Sequence, residues 1–160
     1  MTVSVEVTSR VVVPVPPERA WRAALDWPAQ QRWMLGTRVR GGHGVGAAVV
    51  ARTGIGPVGF TDTMVITHWD PPRRCVVEHT GRVIQGTGVF EVTPAGAGAE
   101  FRWTEQLQLP LAVVGRVGWR MVRPLAQHGM DVSLRRFARL TSATAAASQE
   151  AHEQPRTLGK

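Results

Sequence analysis

Val15-Pro16-Pro17-Glu18-Arg19-Ala20-Trp21 is the junction that decides the fold of this chain. Upstream of it, Val3, Val5, Val7, Val11 and Val13 alternate with Ser4, Glu6, Thr8 and Arg10. A period of two sustained over residues 3–13 is a strand with one face buried. Pro16 and Pro17 end that strand. Pro17 also suits the first turn of a helix, where its missing N–H would have no partner anyway. Glu18 favours the same start by facing the positive end of the helix dipole. Downstream, Trp21 and Leu25 share one face with Ala20 and Ala24, at the spacing of helical neighbours. Pro28 closes this short helix, and residues 29–34 can form a second one that carries Trp33 inward.

From Thr37 onward the period returns to two. Strands are expected over residues 37–40, 47–53, 60–69, 74–80, 86–93 and 99–109, joined by Gly41-Gly42-His43-Gly44, Gly54–59, Asp70-Pro71-Pro72 and Pro94-Ala95-Gly96-Ala97-Gly98. Short turns between sequential strands make an antiparallel meander. Gly81, Gly86 and Gly88 lie where a strongly curved sheet needs kinks or bulges. Residues 111–140 regain helical spacing, with Val117, Met121, Leu125, Val132 and Phe137 as the apolar face. Pro124 interrupts that pattern, so a kink or a short helix before the main one is expected. Residues 141–160 read as a frayed helix end running into a disordered tail. The sum is one α+β domain over residues 1–140: a curved seven-stranded antiparallel sheet, two short helices after the first strand, and a long C-terminal helix. Such a sheet leaves room for a cavity between its concave face and the helix.

The chain of 160 residues is long enough for one real core, and 43% hydrophobic with 19% charged residues is ordinary globular composition. No apolar run approaches the ~20 residues that span a bilayer. The alternating start lacks the features of a secretion signal, and Cys75, the single cysteine, allows no internal disulfide. These points favour a cytoplasmic location. The net charge of +7 reflects arginine almost alone, Lys160 being the only lysine. Arg116, Arg120, Arg123, Arg135, Arg136 and Arg139 face only Asp131 along the final helix. That stripe could meet RNA, an anionic membrane or an acidic protein, although a solvated helix face accounts for it more simply. Nothing points to DNA.

Gly54-Ile55-Gly56-Pro57-Val58-Gly59 matches the dinucleotide pattern G-x-G-x-x-G. That motif requires a helix directly behind it, so that helix N–H groups meet the pyrophosphate. Here strand alternation follows and Pro57 removes a donor, so a hairpin loop is the reading. His43, His68, His79, His128 and His152 show no metal-ligand spacing, and neither metal nor cofactor is expected. Cys75 reads as a packed thiol.

Face parity gives the candidate site. Phe101, Trp103, Leu107 and Leu109 set the inward face of the last strand and bring Glu105 with them. Cys75 and Val77 do the same for His79. Phe60, Met64 and Ile66 share parity with Asp62 and His68. Asp62, His79 and Glu105 are therefore polar groups on an apolar concave surface, where burial demands partners. They can satisfy one another, orient a ligand, or move protons as general acid and base. Phe60, Met64, Phe90, Trp103, Leu107, Met121 and Leu125 are the expected apolar wall. Trp21, Trp33, Trp69 and Trp103 read as core or cavity wall, and Trp119 as flanking the mouth or packing on the sheet edge.

The order of elements resembles the START-like, helix-grip superfamily, also called SRPBCC proteins, which includes polyketide cyclases and aromatases, lipid-transfer domains and plant pollen allergens. The residues that carry the likeness are Pro17-Glu18-Arg19-Ala20-Trp21, Asp26-Trp27-Pro28 with Trp33, and Trp69-Asp70-Pro71-Pro72-Arg73-Arg74. The strand over residues 86–92, Trp103-Thr104-Glu105 and Ser133-Leu134-Arg135-Arg136 add to it. The resemblance covers about residues 2–140 and implies a helix-grip fold that binds a small hydrophobic or amphipathic molecule, lipid-like or polyketide-like. It also leaves open a cyclase, aromatase or dehydratase using Asp62, His79 and Glu105. Fold of this kind does not fix activity.

Overall fold

Pro17 and Glu18 open the first helix, α1 (Pro17–Ala24), as their chemistry dictates, and the face Ala20, Trp21, Ala24 is buried together with Leu25. The computed structural model describes residues 2–82, 84–110 and 116–153; the side chains of Thr2, Val3, Leu109, Pro110, Arg116, Val117 and Trp119 lie outside the described set. The first strand, β1 (Thr2–Val13), precedes α1, and a 3₁₀ turn (Pro28–Arg32) follows it. Then come β2 (Thr37–Gly41), β3 (Ala48–Ile55), β4 (Val58–Asp70), β5 (Arg74–His79), β6 (Gln85–Ala95) and β7 (Gly98–Pro110), and finally α2 (Arg116–Glu153).

The seven strands form one curved antiparallel sheet in the order β1-β7-β6-β5-β4-β3-β2. The meander from β2 to β7 pairs neighbour with neighbour, whereas β1 comes back to close on β7, with Thr2 opposite Pro110 and Val13 opposite Ala99. Gly54 and Gly59 face each other in the β3–β4 hairpin, so the glycine-rich pattern is a turn between strands, as expected.

Trp33 fastens the layers together. Its ring lies 5.3 Å from that of Phe137 on α2 and 6.0 Å from that of Phe101 on β7, centroid to centroid. Phe101 and Phe137 are themselves 4.9 Å apart. Polar contacts tie α2 to β1: Ser9 donates to Asp131 Oδ1 at 2.6 Å, and Gln127 Nε2 donates to the Thr8 carbonyl at 2.9 Å. Arg120, Arg123, Arg135, Arg136 and Arg139 lie along α2, and none of them carries an ion pair among the described residues. No helix among the described residues is long and apolar enough to cross a membrane.

Two expectations about α2 need correction. The helix is a single element that runs through Pro124 instead of dividing there. Pro124 is exposed, so the carbonyl it deprives of a partner faces solvent. Nor does the helix end near Leu140: it continues to Glu153, through an alanine-rich stretch of high helical propensity. Thr141 is still buried and donates to the Phe137 carbonyl at 3.0 Å, so packing extends beyond the expected boundary. Residues 154–160 lie outside the described set.

Candidate functional site

Strand parity places Asp62 on β4, His79 on β5 and Glu105 on β7 on the same concave face, and the structure brings their side chains together. His79 Nδ1 lies 2.6 Å from Asp62 Oδ2, and its Nε2 lies 3.0 Å from Glu105 Oε2. Glu105 Oε1 accepts the indole N–H of Trp103 at 2.7 Å. The reach from β5 to β7 has to cross β6, and β6 offers glycine there. Gly86 stands opposite His79, and Gly88 opposite Glu105. A Cβ on Gly88 would sit 3.1 Å and 3.3 Å from the two carboxylate oxygens of Glu105, so the missing side chain is what makes room for the carboxylate. Asp62 and His79 are buried, at 6% and 8% exposure.

Burial alone would push the His79 pKa down. Its hydrogen bonds to Asp62 and Glu105, reinforced by their charges, outweigh that and raise it to about 9. His79 is thus an imidazolium at neutral pH, clamped between two carboxylates. Because the folded value lies above the ordinary 6.5, the stabilisation is complete below pH 6.5 and is lost as pH rises through about 9. The melting temperature is expected to fall over that window. An NMR titration of His79 should give a midpoint near 9, and Gly88→Ala, by crowding Glu105, should lower it. A midpoint unmoved in the variant would remove Glu105 from the clamp. By contrast, burial drives the Cys75 thiol up to about 12, leaving it protonated and inert, as a packed thiol should be.

Beside this array lies a cavity of about 270 Å³ between the sheet and α2. Seven of the ten expected site residues line it: Phe60, Asp62, Met64, Phe90, Trp103, Glu105 and Leu107. His79 is not part of the wall but stands between the two carboxylates that are. Val39, Val49 and Ala51 extend the apolar surface along β2 and β3, and Trp27, Gln30 and Met34 close it from the segment after α1. From α2 come Ala126, Gly129, Met130 and Ser133, at helical spacing.

Met121 and Leu125 do not line the cavity; they are 75% and 72% exposed. Each stands nine positions before a buried residue, Met130 and Leu134, and nine residues at 3.6 per turn place them about 180° around the helix. His68 is likewise turned out to solvent, because the β4–β5 register shifts between Ile66 and His68 and inverts the parity beyond that point. The shift leaves Asp62 and Met64 unaffected and carries Trp69 onto the core instead, its ring 5.2 Å from that of Trp21.

Sequence reasoning missed Gln30 and Gly129. Gln30 is 1% exposed, and its Nε2 donates to the Ala24 carbonyl at 2.7 Å. Among the described residues, neither Gln30 Oε1 nor Asp62 Oδ1 has a hydrogen-bond partner. A Cβ at Gly129 would meet nothing within 4 Å, so this helical glycine looks onto open space. Among the described residues, no group of three or more His, Cys, Asp or Glu side chains could hold a metal ion.

The family model described as polyketide cyclase / dehydrase and lipid transport matches residues 4–141. The chain belongs to that family. Its fold is shared with several solved structures of low sequence identity. TTHA0849 from Thermus thermophilus superposes with a TM-score of 0.75 at 18% identity, covering 88% of this chain and 99% of that one. The di-domain ARO/CYC StfQ from the steffimycin biosynthetic pathway gives 0.71 at 13% identity, with 90% of this chain and 52% of StfQ covered. The Aha1 dimer from Colwellia psychrerythraea gives 0.59 at 13% identity, with 86% and 96% covered. No curated protein sequence matches. The family joins ligand transport and ring-closing chemistry on one fold, so the choice between them rests on the site itself.

Proposed function

We propose that the protein binds a small, mostly apolar molecule in the cavity beneath α2, with Asp62 and Glu105 orienting it. The observation that carries this reading is Gly129. A glycine inside a helix costs about 1 kcal/mol relative to alanine, and here it leaves empty space facing an apolar wall. An interior that served only to hold the fold together would fill that space with a side chain. A cavity near 270 Å³ with an apolar wall and a few polar groups has the make-up of a ligand site.

The test replaces Gly129 with Phe, whose ring would occupy the space without backbone strain. Native mass spectrometry and displacement of an apolar fluorescent dye should show uptake by the wild type and at least a tenfold loss in the variant, with the fold retained. Equal uptake by both would place the guest elsewhere.

The Asp62–His79–Glu105 array supports a second reading. Two carboxylates around an imidazolium are what proton transfer to and from a bound molecule requires, as in cyclisation or dehydration. Glu105→Gln separates the two: a carrier keeps most of its affinity, whereas a catalyst loses turnover at near-native affinity.

A further inference from the structure

The glycine pattern over residues 54–59 is a hairpin turn, and its tip, Ile55-Gly56-Pro57-Val58, carries no polar side chain. Ile55 and Val58 stand opposite each other in the β3–β4 ladder and are 87% and 77% exposed. A run of exposed apolar residues is a liability in water unless something covers it. Alternation puts both on the concave side, directly beyond Thr53 and Phe60, which face each other and line the cavity. Leu35, an exposed residue of the cavity wall, precedes Gly36, whose carbonyl accepts the Gly54 N–H at 2.9 Å. An apolar track therefore runs from the cavity rim to the hairpin tip.

Behind the tip lies a second, charged feature. Arg38 on β2 and Arg52 on β3 are cross-strand partners, and like charges so placed repel. With Arg136 of α2, and with Gly54 and Gly56, they line one groove that includes no Asp or Glu among the described residues. Arg52 Nη2 also donates to the Gly56 carbonyl at 3.4 Å. All three arginines are exposed and carry no ion pair among the described residues. Guarding an open sheet edge would account for Arg38 on β2. It does not account for Arg52 on the interior strand β3 or for Arg136 on a helix.

We infer that the β3–β4 hairpin docks on an anionic lipid bilayer, its apolar tip entering the headgroup boundary while Arg38, Arg52 and Arg136 meet lipid phosphates. Apolar insertion and a basic collar are the two forces that hold peripheral proteins on such surfaces. Acidic side chains alone would satisfy the arginines and leave Ile55 and Val58 in water; a purely apolar partner would do the reverse. A bilayer supplies both. The inference goes beyond the cavity reading and does not depend on it.

The experiment sediments the full chain with vesicles of phosphatidylcholine alone or with about one-third phosphatidylglycerol. Binding to the anionic vesicles should be at least about tenfold tighter and should weaken steeply with added salt. Ile55→Ser with Val58→Ser keeps the charge and removes the apolar tip; Arg38→Gln with Arg52→Gln does the opposite. Each pair should cost about tenfold or more, and these exposed positions leave the fold intact. Arg135→Gln with Arg139→Gln removes the same charge from exposed positions on α2 and should leave binding unchanged. An equal loss in that control would mean attraction by net charge alone and would overturn the role of the hairpin. Wild-type protein that ignores both vesicles, or binds poly-glutamate more tightly than either, would overturn the assignment as well. The second of these results would give the hairpin to an acidic protein.

Discussion

Replacing His79 with alanine should destabilise the protein by about 3–5 kcal/mol at neutral pH, the usual consequence of removing one partner from a buried ion pair. Two carboxylates would remain on the concave face, Asp62 largely buried and Glu105 partly so, with the cation between them gone. The pH profile distinguishes this from a simple packing loss. In the wild type, stability is held below pH 6.5 and falls towards pH 9 as the imidazolium is lost. The variant has no imidazolium to lose, so its stability should stay level across that window. The gap between the two proteins should therefore narrow as pH rises through about 9, where the wild type loses its own cation, leaving only the packing loss. Adding Asp62→Asn or Glu105→Gln to His79→Ala should recover part of the loss at neutral pH, and a double-mutant cycle would measure the coupling. Chemical denaturation across pH 4–10 provides all of these quantities. A variant less than about 1 kcal/mol below wild type, with a parallel pH profile, would mean the clamp contributes no charge stabilisation.

Trp33→Ala should cost a similar amount, about 3–5 kcal/mol, through the cavity it would leave. Trp33 is 2% exposed and meets Phe101, Trp103 and Phe137, so its removal loosens β7 and α2 from the segment after α1 at once. Trp33→Phe should be far milder. The indole Nε1 of Trp33 has no acceptor among the described residues, so the smaller ring gives up contact area but also removes a buried unpaired donor. The two variants should differ by about 2 kcal/mol or more in urea denaturation. Because this cluster adjoins the cavity through Trp103, Trp33→Ala should also enlarge the guest space and weaken discrimination by ligand size. Equal losses for Ala and Phe would show that the indole edge, not the ring volume, holds this corner.

The parts of the site that can be read from sequence are those governed by strand periodicity. Asp62, His79 and Glu105 are legible because alternation is rigid over short strands and the irregularity in β4 falls after Ile66. His68, one step beyond it, is misplaced by the same rule. Helix phase fails differently. Met121 and Leu125 are apolar and correctly spaced among themselves, but the buried stripe of Met130, Leu134 and Phe137 lies on another side of the same cylinder. Nothing local to a sequence reports which of two apolar stripes faces a sheet. Gln30 carries no signal at all, because a glutamine in a short polar turn looks like surface. The alanine-rich end resembles a tail because it lacks an apolar period, yet propensity and the Thr141 contacts keep it helical.

The return of β1 to β7 sets a schedule for synthesis. Residues 2–13 leave the ribosome long before 98–110, their pairing partners, exist. At about 5–20 residues per second the wait lasts on the order of 5–20 s. During that time the valine-lined strand has no edge to pair with, while the successive hairpins from β2 to β6 can already assemble. The pairing of β1 must therefore wait for β7, and a circular permutant that moves β1 behind β7 would join the two as immediate neighbours and shorten the delay.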